Sequence, residues 1–241
     1  MQLIKTMTEG IETKIARLMK TSTVFNWARL NKPRFDDTLH EIRKIVDNPP
    51  QRSLVPIVNL CTKMANRHLT FDEAFAATSA YQGYLRMAAD EIIPILDDYL
   101  TRKQIEIVPD FVEKPYQYPF ARNADGTVRA IPIKPMFVSI ERDRLIPNFV
   151  LGWANPKLEF YQIQLICSII ADSLLTQEDY RDGDSKILLI KRGKWGNARS
   201  VELIDVKSFS NLDRNELADQ FGTYNRAVAQ ILGELEKLRD I

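Results

Sequence analysis

Two residues on one predicted strand form the most reactive pairing in this 241-residue chain. In the stretch VELIDVKSFS, Asp205 and Lys207 stand two apart, and side chains at that spacing leave the same face of a strand. A carboxylate so placed can hold a divalent metal while the lysine steadies an attacked phosphate or the attacking water. Asp184 opens the partner strand of the same predicted hairpin. Antiparallel pairing sets the start of one strand opposite the end of the other, which brings Asp184 toward Asp205. Gln220 and Tyr224 follow, one helical turn apart. The competing reading makes Asp205 and Lys207 a solvated ion pair at a strand end, of little energetic weight.

The tip of the same hairpin, KRGKWGNAR, concentrates Lys191, Arg192, Lys194 and Arg199 around Trp195. Cations beside an exposed aromatic can pair with phosphates and stack on a base. A merely soluble basic tip, with the tryptophan folded back on the sheet, has the same composition.

The carboxylate and lysine constellation resembles the PD-(D/E)xK nuclease family in its RecB-like branch, over roughly residues 184–224. The resemblance implies Mg-dependent cleavage of DNA or RNA. Asp184 then matches the first metal carboxylate, Asp205 the second, Lys207 the lysine, and Gln220 with Tyr224 the Q-x-x-x-Y element. The family's P-D dipeptide does not precede the hairpin, and Glu12-Thr-Lys14 and Asp184-Ser-Lys186 also satisfy (D/E)-x-K. A second register is open as well. Strands at 127–153, a helix at 157–175 and strands at 186–207 are similar to the order of the same family's core, with Gln162 or Gln164 as the helix glutamine. The catalytic strand is then IPNFVLGW, which has no carboxylate and no lysine. That register implies a fold kept and a chemistry lost.

Other chemistries are excluded by their missing parts. Nine glycines form no G-x-x-x-x-G-K-[ST] loop and no G-x-G-x-x-G turn, so no nucleotide cofactor is expected. His40 and His68 are the only histidines, and neither belongs to a zinc-binding pattern. No G-x-S-x-G elbow is present. Thirty-three basic against thirty-two acidic residues leave a net charge of +1, so any nucleic-acid contact must be a local patch. The start MQLIKTMTEG lacks a signal pattern, and no apolar run approaches ~20 residues, which predicts a cytoplasmic protein with no membrane contact. Cys61 and Cys167 lie among apolar neighbours in predicted helices and read as buried free thiols.

The elements that must position these residues fall into two blocks, a helical region at 1–104 and an α+β sheet domain at 105–241, which can form one compact unit. Helices are predicted around Ile11–Met19, behind Asp36 and Asp37, from a Ser53 cap through Met64, and from the Thr70–Glu73 capping box to residue 103, broken or kinked at Pro94. Strands are predicted near 105–112, 127–133, 135–142 and 145–153. Seven of the twelve prolines lie between Pro109 and Pro156, so these strands should be short, edged or bulged. A helix at 157–175, the hairpin 187–206 and a last helix at 213–238 complete the chain. The fold class is α+β, a mixed and mostly antiparallel sheet with two long helices.

On the last helix, Leu217, Phe221, Tyr224, Val228, Ile231, Leu235 and Leu238 alternate spacings of four and three, a heptad seam. The seam reads either as a partner interface, by default a two-fold homodimer, or as a stripe packed on the chain's own sheet. The expectation is a non-catalytic interaction or accessory protein with a nuclease-like fold in a nucleic-acid context. The alternative is the metal-dependent nuclease.

Overall fold

A computed structural model describes residues 23–47, 54–111, 114–122, 128–152, 158–191 and 199–239. The helix predicted around Ile11–Met19 and the Ser53 cap lie outside them. Helix α1 (Val24–Leu30) opens on Thr23, whose Oγ accepts the Asn26 N–H. Helix α2 (Phe35–Asp47) carries Asp36 and Asp37 in its first turn, where a negative charge complements the helix dipole. Helix α3 (Val55–Ala65) follows, with Pro56 in its first turn.

The predicted capping box is present: Thr70 Oγ accepts the Glu73 N–H, and the Glu73 carboxylate accepts the Thr70 N–H at 2.8 Å. The helix it starts, α4 (Phe71–Ala77), is short, and the break expected at Pro94 comes earlier instead. Thr78–Ala80 tighten into a 3₁₀ turn, Tyr81 and Gln82 are extended, and Gly83 enters α5 (Gly83–Arg102) at φ +52°, where glycine has no steric penalty. Helix α5 then runs through Pro94. Ile92, Ile93 and Leu96 around it are buried, and their packing offsets the hydrogen bond that proline removes.

Strands β1 (Glu106–Val108), β4 (Phe137–Glu141), β5 (Arg144–Leu151), β6 (Lys186–Lys191) and β7 (Ser200–Asp205) form one sheet in the order β1-β4-β5-β6-β7. Only β5 and β6 are parallel, joined by helix α6 (Phe160–Ser173); the other neighbours are antiparallel. Strands β2 (Tyr116–Arg122) and β3 (Val128–Ile133) form a separate antiparallel ribbon with an irregular register at Pro119. The chain ends in helix α7 (Arg214–Arg239). The fold is therefore α+β, as the sequence implies. The strand at Tyr116–Arg122 was not expected from the sequence, because Pro119 within it, Pro115 just before it and its polar alternation hide it.

Both sheet faces are covered, which the run KILLIK on β6 anticipates, since a strand buried on both sides reads as continuously apolar. Ile187 and Leu189 face a core shared with α1, α2, α6, α7 and the ribbon. Leu188 and Ile190 face a second core with α3 and α5. The N-terminal helices thus divide between the two sides of the sheet. Cys61 and Cys167 are free and buried, one in each core.

Candidate functional site

The hairpin β6–β7 forms where expected, but its reactive residues do not share one face. Strand β7 ends at Asp205, and Lys207 lies in a following 3₁₀ turn, Val206–Ser208, so the two-residue spacing no longer aligns their side chains. The Asp184 carboxylate is held by backbone: its Oδ1 accepts the Ser185 N–H at 2.6 Å and the Lys207 N–H at 3.0 Å. Lys207 Nζ donates to the Arg181 carbonyl at 3.4 Å. Burial, and next the charge of Asp184, push the Cys167 thiol on α6 up to about 12. Asp205 pairs in register with Lys186, on the face of Leu188 and Ile190, and its charge reaches Tyr99 on α5.

A different group gathers on that second face. Lys186 Nζ donates to the Glu141 carboxylate, with Asp205 opposite Lys186 in the ladder. Burial first, then the charges of Glu141 and Asp205, raise the pKa of the Tyr99 hydroxyl. The Glu141 carboxylate pairs the Lys186 ammonium, and no group of three His, Cys, Asp or Glu side chains suited to a metal occurs among the described residues.

Strand β5, the catalytic strand of the second register, carries a buried polar file instead of charge. Asn148 Nδ2 donates to Ser139 Oγ at 2.8 Å and to the Ile146 carbonyl at 2.7 Å; both side chains are buried. Ser185 Oγ, also buried, donates to the Pro147 carbonyl at 2.8 Å. Pro147 occupies the middle strand of five, not an edge as its type predicts, and offers no N–H to either neighbour. The three polar side chains reinforce the ladder around that missing donor.

The remaining candidates are held within the fold. Gln220 Oε1 accepts from Tyr161 Oη at 2.7 Å and its Nε2 donates to Asn31 Oδ1 at 2.8 Å. Tyr224 is buried, which pushes its hydroxyl up to about 12 despite nearby Arg129. Gln162, also buried, donates to the Arg29 and Asn31 carbonyls, and Gln164 donates to Asn211. Lys191 pairs with Glu202. The Arg199 side chain is 1% exposed, its Nε lies 2.5 Å from Glu91 Oε2, and it also donates to the Ile190 carbonyl. Arg199 therefore ties α5 to the sheet instead of facing solvent. Arg192, Lys194 and Trp195 lie outside the described residues.

The seam of α7 is filled from within the chain. Leu217, Phe221, Tyr224, Val228 and Ile231 are all buried in the first core, and the Phe221 ring lies 4.4 Å from Trp27 and 5.3 Å from Phe120, centroid to centroid. The side chains of Leu235 and Leu238 lie outside those described. Glu141, Asn148 and Ser139 were not singled out from the sequence, and Lys186 only as part of a spare (D/E)-x-K match, although a polar residue at an inward position of an apolar strand, as for Ser139 in VSI and Asn148 in PNFV, is a usable signal.

No protein-family model and no curated protein matches the chain. Among solved structures, one titled "Crystal structure of SSO0001" is similar at a TM-score of 0.34 and 9% identity, covering 81% of this chain and 84% of that chain.

Proposed function

We propose that this chain is a non-catalytic interaction or accessory protein, built on a nuclease-like fold whose chemistry has been lost, and acting in a nucleic-acid context. The observation that supports the reading is the commitment of Asp184: its carboxylate accepts two backbone amides, those of Ser185 and Lys207. Both bonds fall on Oδ1, and they orient the carboxylate as a cap on the backbone where β6 starts and β7 ends. The order β4, β5, α6, β6, β7 follows the second register described above, and β5 presents a neutral Asn148 there.

The test is incubation of the purified protein with labelled single- and double-stranded DNA and RNA in Mg²⁺ and in Mn²⁺, alongside Asp205→Ala and Lys207→Ala. The reading expects no cleavage that depends on these residues. Binding without cleavage, weakened steeply by salt, supports the nucleic-acid context. A second reading, the metal-dependent nuclease, draws on the group of Glu141, Asp205 and Lys186 beside Tyr99. Metal-dependent cleavage abolished by Asp205→Ala or Glu141→Gln favours it and overturns the first.

A further inference from the structure

On the α3 and α5 side of the sheet, an open cleft of about 330 Å³ lies between the end of α3, the start of α4, the end of α5 and β1. Two helix ends build it, and both close in the same way. At the end of α3, the Arg67 N–H donates to the Met64 carbonyl and the His68 N–H to Lys63. At the end of α5, the Gln104 N–H donates to Thr101 and the Ile105 N–H to Leu100. These are paired Schellman closures, which ordinarily use glycine at the left-handed position. Here that position holds Arg67 at φ 62° and Gln104 at φ 47°. Leu100 and Ile105, the two positions whose apolar side chains commonly meet across such a closure, both line the cleft beside Met64 and Ile107.

The polar lining includes Arg67, Asp97 and Thr101. Neighbouring Asp98 is paired with Arg102 at 2.5 Å, whereas neither Asp97 nor Arg67 is in an ion pair with another described residue. Burial, then the charges of Asp98 and Asp72, raise the pKa of the Asp97 carboxyl. The cleft thus offers one carboxylate and one guanidinium, each lacking a counter-charge, above an apolar floor. Its volume is at the lower end for small-molecule sites, about 300 Å³ and upward.

We infer that this cleft is a binding site for a small amphiphilic zwitterion of amino-acid size, its ammonium on Asp97, its carboxylate on Arg67 and its apolar side chain on the floor of Met64, Leu100 and Ile107. A carboxylate on guanidinium and an ammonium on carboxylate are the stronger, charge-assisted hydrogen bonds. The site is independent of the function proposed above.

The test is titration of the full chain, followed by heteronuclear NMR, with free L-leucine, with isopentylamine, which lacks the carboxylate, and with 4-methylpentanoate, which lacks the ammonium. The expected result is shifts at Arg67, Asp97 and Thr101 amides with L-leucine, and binding about tenfold weaker for each single-charge analogue. In Asp97→Asn, L-leucine should bind no better than 4-methylpentanoate; in Arg67→Gln, no better than isopentylamine. Both side chains are surface groups, and an unchanged spectrum elsewhere shows that the variants fold. Absence of shifts at ~10 mM L-leucine or L-phenylalanine, or L-leucine affinity unchanged in both variants, overturns the proposal.

Discussion

Replacing Asn148 by aspartate separates a structural role for the polar file from a latent metal site. The amide nitrogen of Asn148 donates to Ser139 Oγ at 2.8 Å and to the Ile146 carbonyl at 2.7 Å, on a residue 1% exposed. An ionised carboxylate donates neither bond and meets the Ile146 carbonyl as a second acceptor. Burial of this kind raises a carboxyl pKa by up to about 3–5 units, and each unit is 1.36 kcal/mol. With a shift of about 3 units, from ~4 unfolded to ~7 folded, the charge-linked loss reaches about 4 kcal/mol.

The sign follows from proton linkage. Below the unfolded pKa, both states of Asn148→Asp hold the proton, and the cost is about 1–2 kcal/mol for the donor that the acid cannot replace. As pH rises from ~4 toward the folded pKa, the unfolded chain releases a proton that the folded chain keeps, so stability falls by about 1.4 kcal/mol per unit. Urea denaturation of wild type and variant at pH 4 and pH 7 reads the difference. The expected extra loss at pH 7 is about 3–4 kcal/mol. A loss under about 1 kcal/mol at both pH values would refute the hydrogen-bonding role assigned to Asn148. Recovery of the pH 7 loss by Mn²⁺ would show that this face accepts a cation once it carries a carboxylate, which reinforcement around Pro147 does not require.

Three further outcomes follow from burial. Val228→Glu with Ile231→Glu places two charges in the first core and should abolish the cooperative thermal transition; a folded variant of half the wild-type solution mass would instead make the α7 seam an interface. Both thiols, each pushed up to about 12 by burial above all, should resist a thiol reagent at pH 8 in the native protein and react together in denaturant; fast reaction of either at native conditions would contradict its packing. Arg199→Ala leaves Glu91 without the guanidinium and opens a void at the end of β6, and should cost about 3 kcal/mol by denaturation, whereas loss of nucleic-acid binding without loss of stability would return Arg199 to the surface.

Much of the fold was legible because local signals agreed with packing. The Thr70–Glu73 box located the start of α4, though not its early end, and the apolar run of β6 and the spacing of α6 and α7 each located an element within a few residues. Helix α1 was not legible. VFNWARL is seven residues long and too short for a periodic pattern, and it is held by Trp27 against Phe221 and Tyr224 nearly two hundred positions away. Pro94 and Pro147 misled for the same reason in opposite directions. Proline was read as a breaker or an edge residue, yet one lies inside α5 and the other in the middle strand, where tertiary contacts replace what the ring removes.

The candidate site was the least legible part, and the cause is competition for lone pairs. Spacing along a strand states where a carboxylate can point, but not which donors reach it first. At Asp184 the nearest donors are the amide of its neighbour Ser185 and that of Lys207, the latter supplied by the turn that follows β7, so the residue that looked like a metal ligand acts as a backbone cap. The 3₁₀ turn itself depends on that cap, since it begins where the Val206 N–H donates to the Ser185 carbonyl at 2.9 Å and ends the ladder. Lys207 is drawn out of the strand by the same turn. A single local event, the closing of Val206–Ser208 over Asp184, therefore separates the aspartate and the lysine whose spacing suggested catalysis, and Asp184→Ala should loosen this turn before it affects any bound metal.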